Sequence, residues 1–222
     1  MRSTVHIERL FSDADLRDIE AAVREAEAAT AGEIVPYAVS HSDPYEAAAW
    51  KGATLGALVC VVAATAVYEA GRSWGGSAAG WIVLPPFAGA VAGFVAAALL
   101  RPVTRWLAGA AVIEHRVQQR ANAAFLEREV FKTRDRTGVL VFLSLFERRV
   151  VVLADAGIHA RVEQREWDAI VAEIVDGIRA GAPGKALAGA IRQCGELLLR
   201  HGVAVRAGDT DELPDQLHVR TE

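Results

Sequence analysis

Two cysteines, Cys60 and Cys194, are too few for a disulfide scaffold, and free thiols fit a reducing compartment. Lysine is nearly absent, three residues against 21 arginines. The 24 basic residues are outnumbered by 28 acidic ones, so a net charge of −4 leaves no global basic field for nucleic acid. The six histidines show no His-x-x-x-His spacing, which removes the helical zinc motif. There is no phosphate loop: Gly181-Ala-Pro-Gly184 lacks the Lys-Ser/Thr ending. There is no nucleophile elbow either, because Ser144 stands between two leucines. The opening MRSTVHIERLFSDADL lacks the apolar core of a signal peptide. What is abundant is apolar surface: 52% of residues are hydrophobic, which excludes a disordered or collagen-like chain.

That hydrophobicity is concentrated. Residues 52–68, between Lys51 and Glu69, carry no charge, and neither do residues 73–100, between Arg72 and Arg101. A spanning helix needs about 20 predominantly apolar residues. Trp81–Leu100 meets that length, and Trp50 and Tyr68 extend the first run towards it. Trp50, Trp74, Trp81 and Trp106 flank the runs, where indole rings prefer the headgroup level. Pro85-Pro86 marks a kink or a late start near one end of the second run. The Gly- and Ser-rich connector from Glu69 to Gly80 makes the pair a hairpin. Lys51, Arg101, Arg105 and Arg116 on the long side outweigh Arg72 in the connector, so both termini are expected in the cytoplasm of a two-span plasma (inner) membrane protein.

Outside the runs the pattern is that of a globular domain. Ser12 and Asp15 form a capping-box pattern before Leu16, Ile19, Val23 and Ala26, which recur at helical spacing. Glu33–Ser40 reads as a strand, with Pro36 pointing to an edge position or a bulge. Ile113, Val117, Ala121, Ala124 and Phe125 mark a helix face. Val139–Phe146 is a near-continuous apolar run, the pattern of a strand buried on both sides. Glu147-Arg148 reverses the chain into the strand Arg149–Asp155. Trp167, Ile170, Val171, Ile174 and Ile178 give one amphipathic helix; Leu187, Ile191, Cys194 and Leu198 give another, with Cys194 expected in the core. The expected organisation is a first domain segment at 1–50, a transmembrane hairpin at 51–101, a second domain segment at 102–202 and a loose polar tail at 203–222 carrying Asp209, Asp211, Glu212 and Asp215. The fold class is α/β, a small mixed β-sheet sandwiched by helices.

Three segments resemble the TPM domain family, also called TPM phosphatase. They are FSDADLRDIEAAVREAEAATAGEI, the hairpin RTGVLVFLSLFERRVVVLADAGI with its Asp-x-Gly-Ile ending, and the helix from Trp167 followed by KALAGAIRQCGELL. They cover about two thirds of the non-hairpin chain, in order. The resemblance implies a TPM-like α/β/α sandwich, here interrupted by the two-helix transmembrane hairpin, as in a bacterial branch of the family. It also implies acid phosphatase activity in some members and a divalent cation, Ca²⁺ or Mg²⁺, held by acidic residues at a sheet edge. Where the family often has Asp-Asn-Gly before the central strand, this chain has Arg136-Thr137-Gly138, with Asp135 nearby; where it has Asp-Arg in the reversal, this chain has Glu147-Arg148. Asp155 matches the family position before Gly-Ile.

A hard cation needs several converging oxygens. Glu147 lies in the reversal, away from Asp135 and Asp155, so Asp135, Asp155 and Glu33 are the candidate metal ligands. Each also reads as a solvated carboxylate or as the partner of a nearby arginine; Arg134, Arg136, Arg148 and Arg149 flank the β-hairpin. His159 is the histidine nearest this segment and a candidate general acid, or a polar surface residue. Three functions compete: a membrane-tethered interaction or maintenance module for other membrane proteins, a metal-dependent phosphatase at the membrane surface, and a structural hairpin protein acting as a homo-oligomer. The expected partners are the lipid bilayer and other membrane proteins or a second copy, with no nucleic acid.

Overall fold

A computed structural model describes residues 11–71, 78–203, 213 and 215–220. The elements run α1 (Asp13–Ala29), β1 (Glu33–Val39), α2 (Glu46–Glu69), α3 (Ala78–Leu99), α4 (Arg101–Ala108), α5 (Ala110–Glu127), a 3-10 turn (Val130–Lys132), β2 (Gly138–Ser144), β3 (Arg149–Ala154), α6 (Ala156–His159), α7 (Gln164–Arg179), α8 (Pro183–Arg200) and β4 (His218–Arg220). Two compact units result. One holds the chain up to Ser42 and from Arg116 onward; the other is Asp43–His115.

The first unit is built on a four-stranded mixed sheet of order β3-β2-β1-β4. β1 is parallel to β2 and to β4, and β2 is antiparallel to β3. Every residue of β1 and β2 is buried, so both faces of the sheet's centre are covered, as their unbroken apolar runs require. Because successive strand side chains point to opposite faces, Ile34, Ala38, Val139, Val141 and Leu143 join one core with α1, α7 and α8. The alternate residues Val35, Tyr37, Leu140 and Phe142 form the other face, where Arg120 of α5 donates to the Tyr37 hydroxyl at 3.1 Å. α1 begins with the capping box read from its sequence: Asp15 N–H donates to Ser12 Oγ (3.2 Å) and Ser12 N–H to Asp15 Oδ2 (2.9 Å). α1 and α8 approach closely at Gly195, where an added Cβ would lie 2.7 Å from Ala26 Cβ.

Four expectations change. The reversal between β2 and β3 is a four-residue turn, 145–148, rather than two residues; β2 ends at Ser144, and Arg148 takes the left-handed conformation (φ +54°) the turn needs. β1 is an interior strand without a bulge, Pro36 pairing one-to-one with Val141. Yet β4 pairs only with Tyr37–Val39, so among the described residues Glu33–Pro36 has a neighbour on one side only and the missing proline N–H is tolerated. The tail is not wholly loose, since His218–Arg220 is that fourth strand. Asp209, Asp211 and Glu212 lie outside the described residues, as do Arg72 and Trp74 of the connector. Finally, Asp155 starts a one-turn helix, α6, that the Ala156-Gly157 break concealed.

In the second unit, α2 and α3 pack antiparallel through small residues. Gly52 faces Gly93 and Gly56 faces Gly89; a Cβ on Gly52 would meet the Gly93 carbonyl at 2.5 Å and Ala97 Cβ at 2.7 Å. Large apolar side chains point outward, Leu58 at 60% and Phe87 at 70% exposed among them. α2 is long and apolar enough to cross a membrane. α3 runs through Pro85 and Pro86 as helix. Its Val83–Leu99 part reaches the same standard only together with α4, from which a bend of 100° separates it.

Candidate functional site

The N-terminal ends of β1 and β2 and the C-terminal end of β3 meet at one end of the sheet. Glu33 lies opposite Gly138 in register, its N–H donating to the Thr137 carbonyl at 3.2 Å, and Asp155 N–H donates to the Gly138 carbonyl at 2.9 Å. Topology thus brings all three candidate acids to the same end of the sheet, in unlike settings. Glu33 is buried (8% exposed), Asp135 is exposed, and Asp155 is buried (5%). Asp155 is heavily engaged. Its Oδ1 accepts from Ala156 N–H (2.7 Å), capping α6, and from Arg136 (3.0 Å), while Arg136 Nε lies 2.7 Å from Oδ2. Arg136 sits at φ +58°, a left-handed conformation that costs a non-glycine residue about 1 kcal/mol or more. The loop that holds it lies against Gly157, where a Cβ would fall 2.7 Å from the Arg136 carbonyl.

This guanidinium occupies the flank of Asp155 that a divalent cation would use, and like charges repel. Among the described residues, no three carboxylate, imidazole or thiol side chains assemble into a group able to hold a metal ion. The donor set therefore does not fit a hard cation as it stands. His159 is exposed on α6 and donates its backbone N–H to the Asp155 carbonyl at 2.9 Å.

The opposite end of the β-hairpin holds a buried polar cluster. Glu147 is buried (3%) and accepts from Ser42 N–H (2.8 Å) and from the Ser144 hydroxyl. Ser144 is fully buried and also bonds Ser42 Oγ at 2.8 Å. A buried carboxylate needs such donors; here they clasp the β2–β3 turn to the end of β1, and Ser144 has no access to a substrate. Cys194 is equally inert: burial pushes its thiol up to about 12, so no thiolate forms at neutral pH.

A third cluster had no signal in the sequence, because its members come from four separate segments. On the sheet face opposite α1 and α8, the Arg120 and Arg128 guanidinium carbons lie 5.7 and 5.3 Å from the centroid of the Tyr37 ring. That ring also stacks on Phe142 at 5.8 Å. His218 of β4 lies 6.5 Å from the same ring, and burial first, then the Arg128 charge, holds its pKa below the usual histidine value. Arg120 also meets Glu127 at 3.4 Å. Stacked cations of this kind contribute roughly 0.5–2 kcal/mol each, and the cluster reads as the seal of this face.

No family model matches the sequence, and no curated protein does. Among solved structures, the chain is similar to the NMR structure of the BA42 protein from the psychrophilic bacterium Bizionia argentinensis. The identity is 17% and the TM-score 0.57, over 95% of this chain and 95% of that one. At that identity the likeness is one of fold.

Proposed function

We propose that the chain is a TPM-like α/β/α domain protein, held at the cytoplasmic face of a bacterial inner membrane by the α2–α3 hairpin, both termini on that side. In this reading the sheet unit is an interaction or maintenance module for other membrane proteins. One observation carries it: α2 and α3 place glycines against each other and large apolar side chains outward, the reverse of the sheet unit. Transmembrane pairs sort residues this way, because close backbone approach rather than hydrophobic burial holds them together. In water, an apolar surface of this extent would be a strong association site.

The preference for an interaction module over a phosphatase rests on Asp155. A metal-dependent acid phosphatase needs a metal-bound or side-chain nucleophile and a general acid. Here the best-placed carboxylate is already ion-paired with Arg136 and accepts the Ala156 N–H.

Two measurements test the reading. In a Cys-free background, a cysteine introduced by Ser77→Cys, a connector position outside the described residues, is expected to react with an impermeant reagent from outside, and one introduced by Ser3→Cys is not. The chain is also expected to stay in the membrane through a carbonate wash; release of the intact chain, or the reverse labelling, overturns the anchoring. Turnover of an aryl phosphate with Ca²⁺ or Mg²⁺ that Asp155→Asn abolishes would establish the phosphatase alternative instead.

A further inference from the structure

We infer that α4 is a surface anchor lying along the bilayer plane at headgroup level and taking anionic phospholipid headgroups through Arg101 and Arg105. The inference rests on the reading of α2–α3 as a membrane hairpin and adds to it a lipid site with its own geometry. α4 leaves α3 at 100°, so if α3 crosses the bilayer, α4 runs along its surface. The elbow is built. Thr104 Oγ1 donates back to the Ala97 carbonyl at 2.6 Å, across the bend, and Lys51 Nζ at the start of α2 donates to the Leu107 carbonyl at 3.1 Å. Pro102 opens the helix and Gly109, at φ +85°, closes it. α4 therefore lies at the level of Trp50 and Lys51, the same end of the hairpin.

The side chains suit that level. Trp106 is 72% exposed, and Leu99 and Leu100 are exposed beside the bend. Trp50 packs edge-on to Phe94 at 5.4 Å and remains exposed. Indole at the acyl–headgroup boundary and arginine on phosphate is the composition of helices that lie in an interface. Guanidinium takes phosphate oxygens in a two-point fork. Charge favours an anionic lipid on α4 itself: the helix carries Arg101 and Arg105 and no acidic residue, and Lys51 reaches its last turn, while Glu46 opens α2 at the same end of the hairpin.

The test uses the full chain reconstituted in phosphatidylcholine vesicles with and without phosphatidylglycerol. With Trp50→Phe, Trp74→Phe, Trp81→Phe and Trp167→Phe, Trp106 is the remaining indole. It is expected to be quenched by lipids brominated near the top of the acyl chain and shielded from aqueous acrylamide. With all tryptophans intact, lipid carried through purification from mixed membranes is expected to be enriched in phosphatidylglycerol. Arg101→Gln with Arg105→Gln is expected to lower that enrichment, each arginine being worth about fivefold in local partition at low salt. If the chain leaves the vesicles in an alkaline wash, the hairpin reading fails and this inference with it. If the chain stays but acrylamide reaches Trp106 and brominated lipid does not, the surface helix alone is overturned. Shielding from both quenchers means that protein covers α4, which overturns the lipid as occupant. Unchanged phosphatidylglycerol enrichment in the double variant overturns the arginine role.

Discussion

The sheet unit and the hairpin unit sort the same residue types in opposite directions. In the sheet unit, Phe142, Leu140 and Leu143 are fully or almost fully buried, and the charges that are buried, such as Glu147 and Asp155, have polar partners. In the hairpin unit, Leu58, Val62 and Leu84 face outward while glycine and alanine fill the contact between helices. The first arrangement is driven by removing apolar area from water, about 25 cal/mol per Å². In the hydrocarbon proposed for it, the second would gain nothing from that term and would rely on close backbone contact. The boundary between the two patterns falls where the charges resume.

The contrast can be broken at its strongest points first. Leu143→Ala in the sheet unit is expected to cost roughly 2–5 kcal/mol, from lost transfer energy plus a cavity. Denaturant unfolding of the full chain followed by Trp167 fluorescence would measure it. A cost below roughly 0.5 kcal/mol would mean that Leu143 does not face a packed core.

In the hairpin unit the harmful change is the opposite one, an addition of volume. Gly56 faces the Gly89 carbonyl with no room for a Cβ. Gly56→Leu is expected to part the helices at a cost of about 1–3 kcal/mol, leaving the sheet unit's unfolding unchanged. Limited proteolysis of the hairpin in detergent, beside the same denaturant curve, separates the two effects. If both units weaken together, they are not independent.

A smaller effect tests the Asp155 end of the sheet. Asp155→Ala removes both the α6 cap and the ion pair, and about 1–2 kcal/mol is expected. Asp155→Asn keeps an oxygen for Ala156 N–H and loses the charge, and because Arg136 is half exposed the cost should stay below about 1 kcal/mol. A melting temperature that rises with Ca²⁺ in the wild type and not in Asp155→Asn would instead favour a cation site at this end.

The mildest expected effect is on β4. His218 has a folded pKa below its ordinary 6.5, so the unfolded chain takes up its proton first. Stability is therefore unaffected above that pH and declines as pH falls through 6.5 toward the folded value. Amide exchange at Tyr37–Val39, corrected for its intrinsic pH dependence, is expected to accelerate over that window, and His218→Gln should remove the dependence.

Much of this was legible in the residues themselves. The capping box at Ser12, the apolar faces of α7 and α8 and the doubly buried β2 follow from periodicity, because a helix or strand that must bury one face shows it at a fixed spacing. The charge-free runs around α2 and α3 follow from composition. Other features were decided only by tertiary structure, since they depend on which segments meet. Glu147 looks like a turn carboxylate until Ser42, 105 positions earlier, supplies its N–H. Arg120, Arg128 and His218 carry no local pattern, and only the sheet brings them to Tyr37. The polar tail holds no strand signal, yet β1 has a free edge at Tyr37–Val39, and unpaired backbone groups there recruit His218–Arg220. For Asp155 the sequence leaves a metal ligand and an arginine's partner both open, and the fold sets Arg136, at a left-handed backbone position, beside it. Local spacing determines which surfaces must be covered; which distant residue covers them is settled by packing, where a buried charge or an open strand edge takes whatever complementary group the fold delivers.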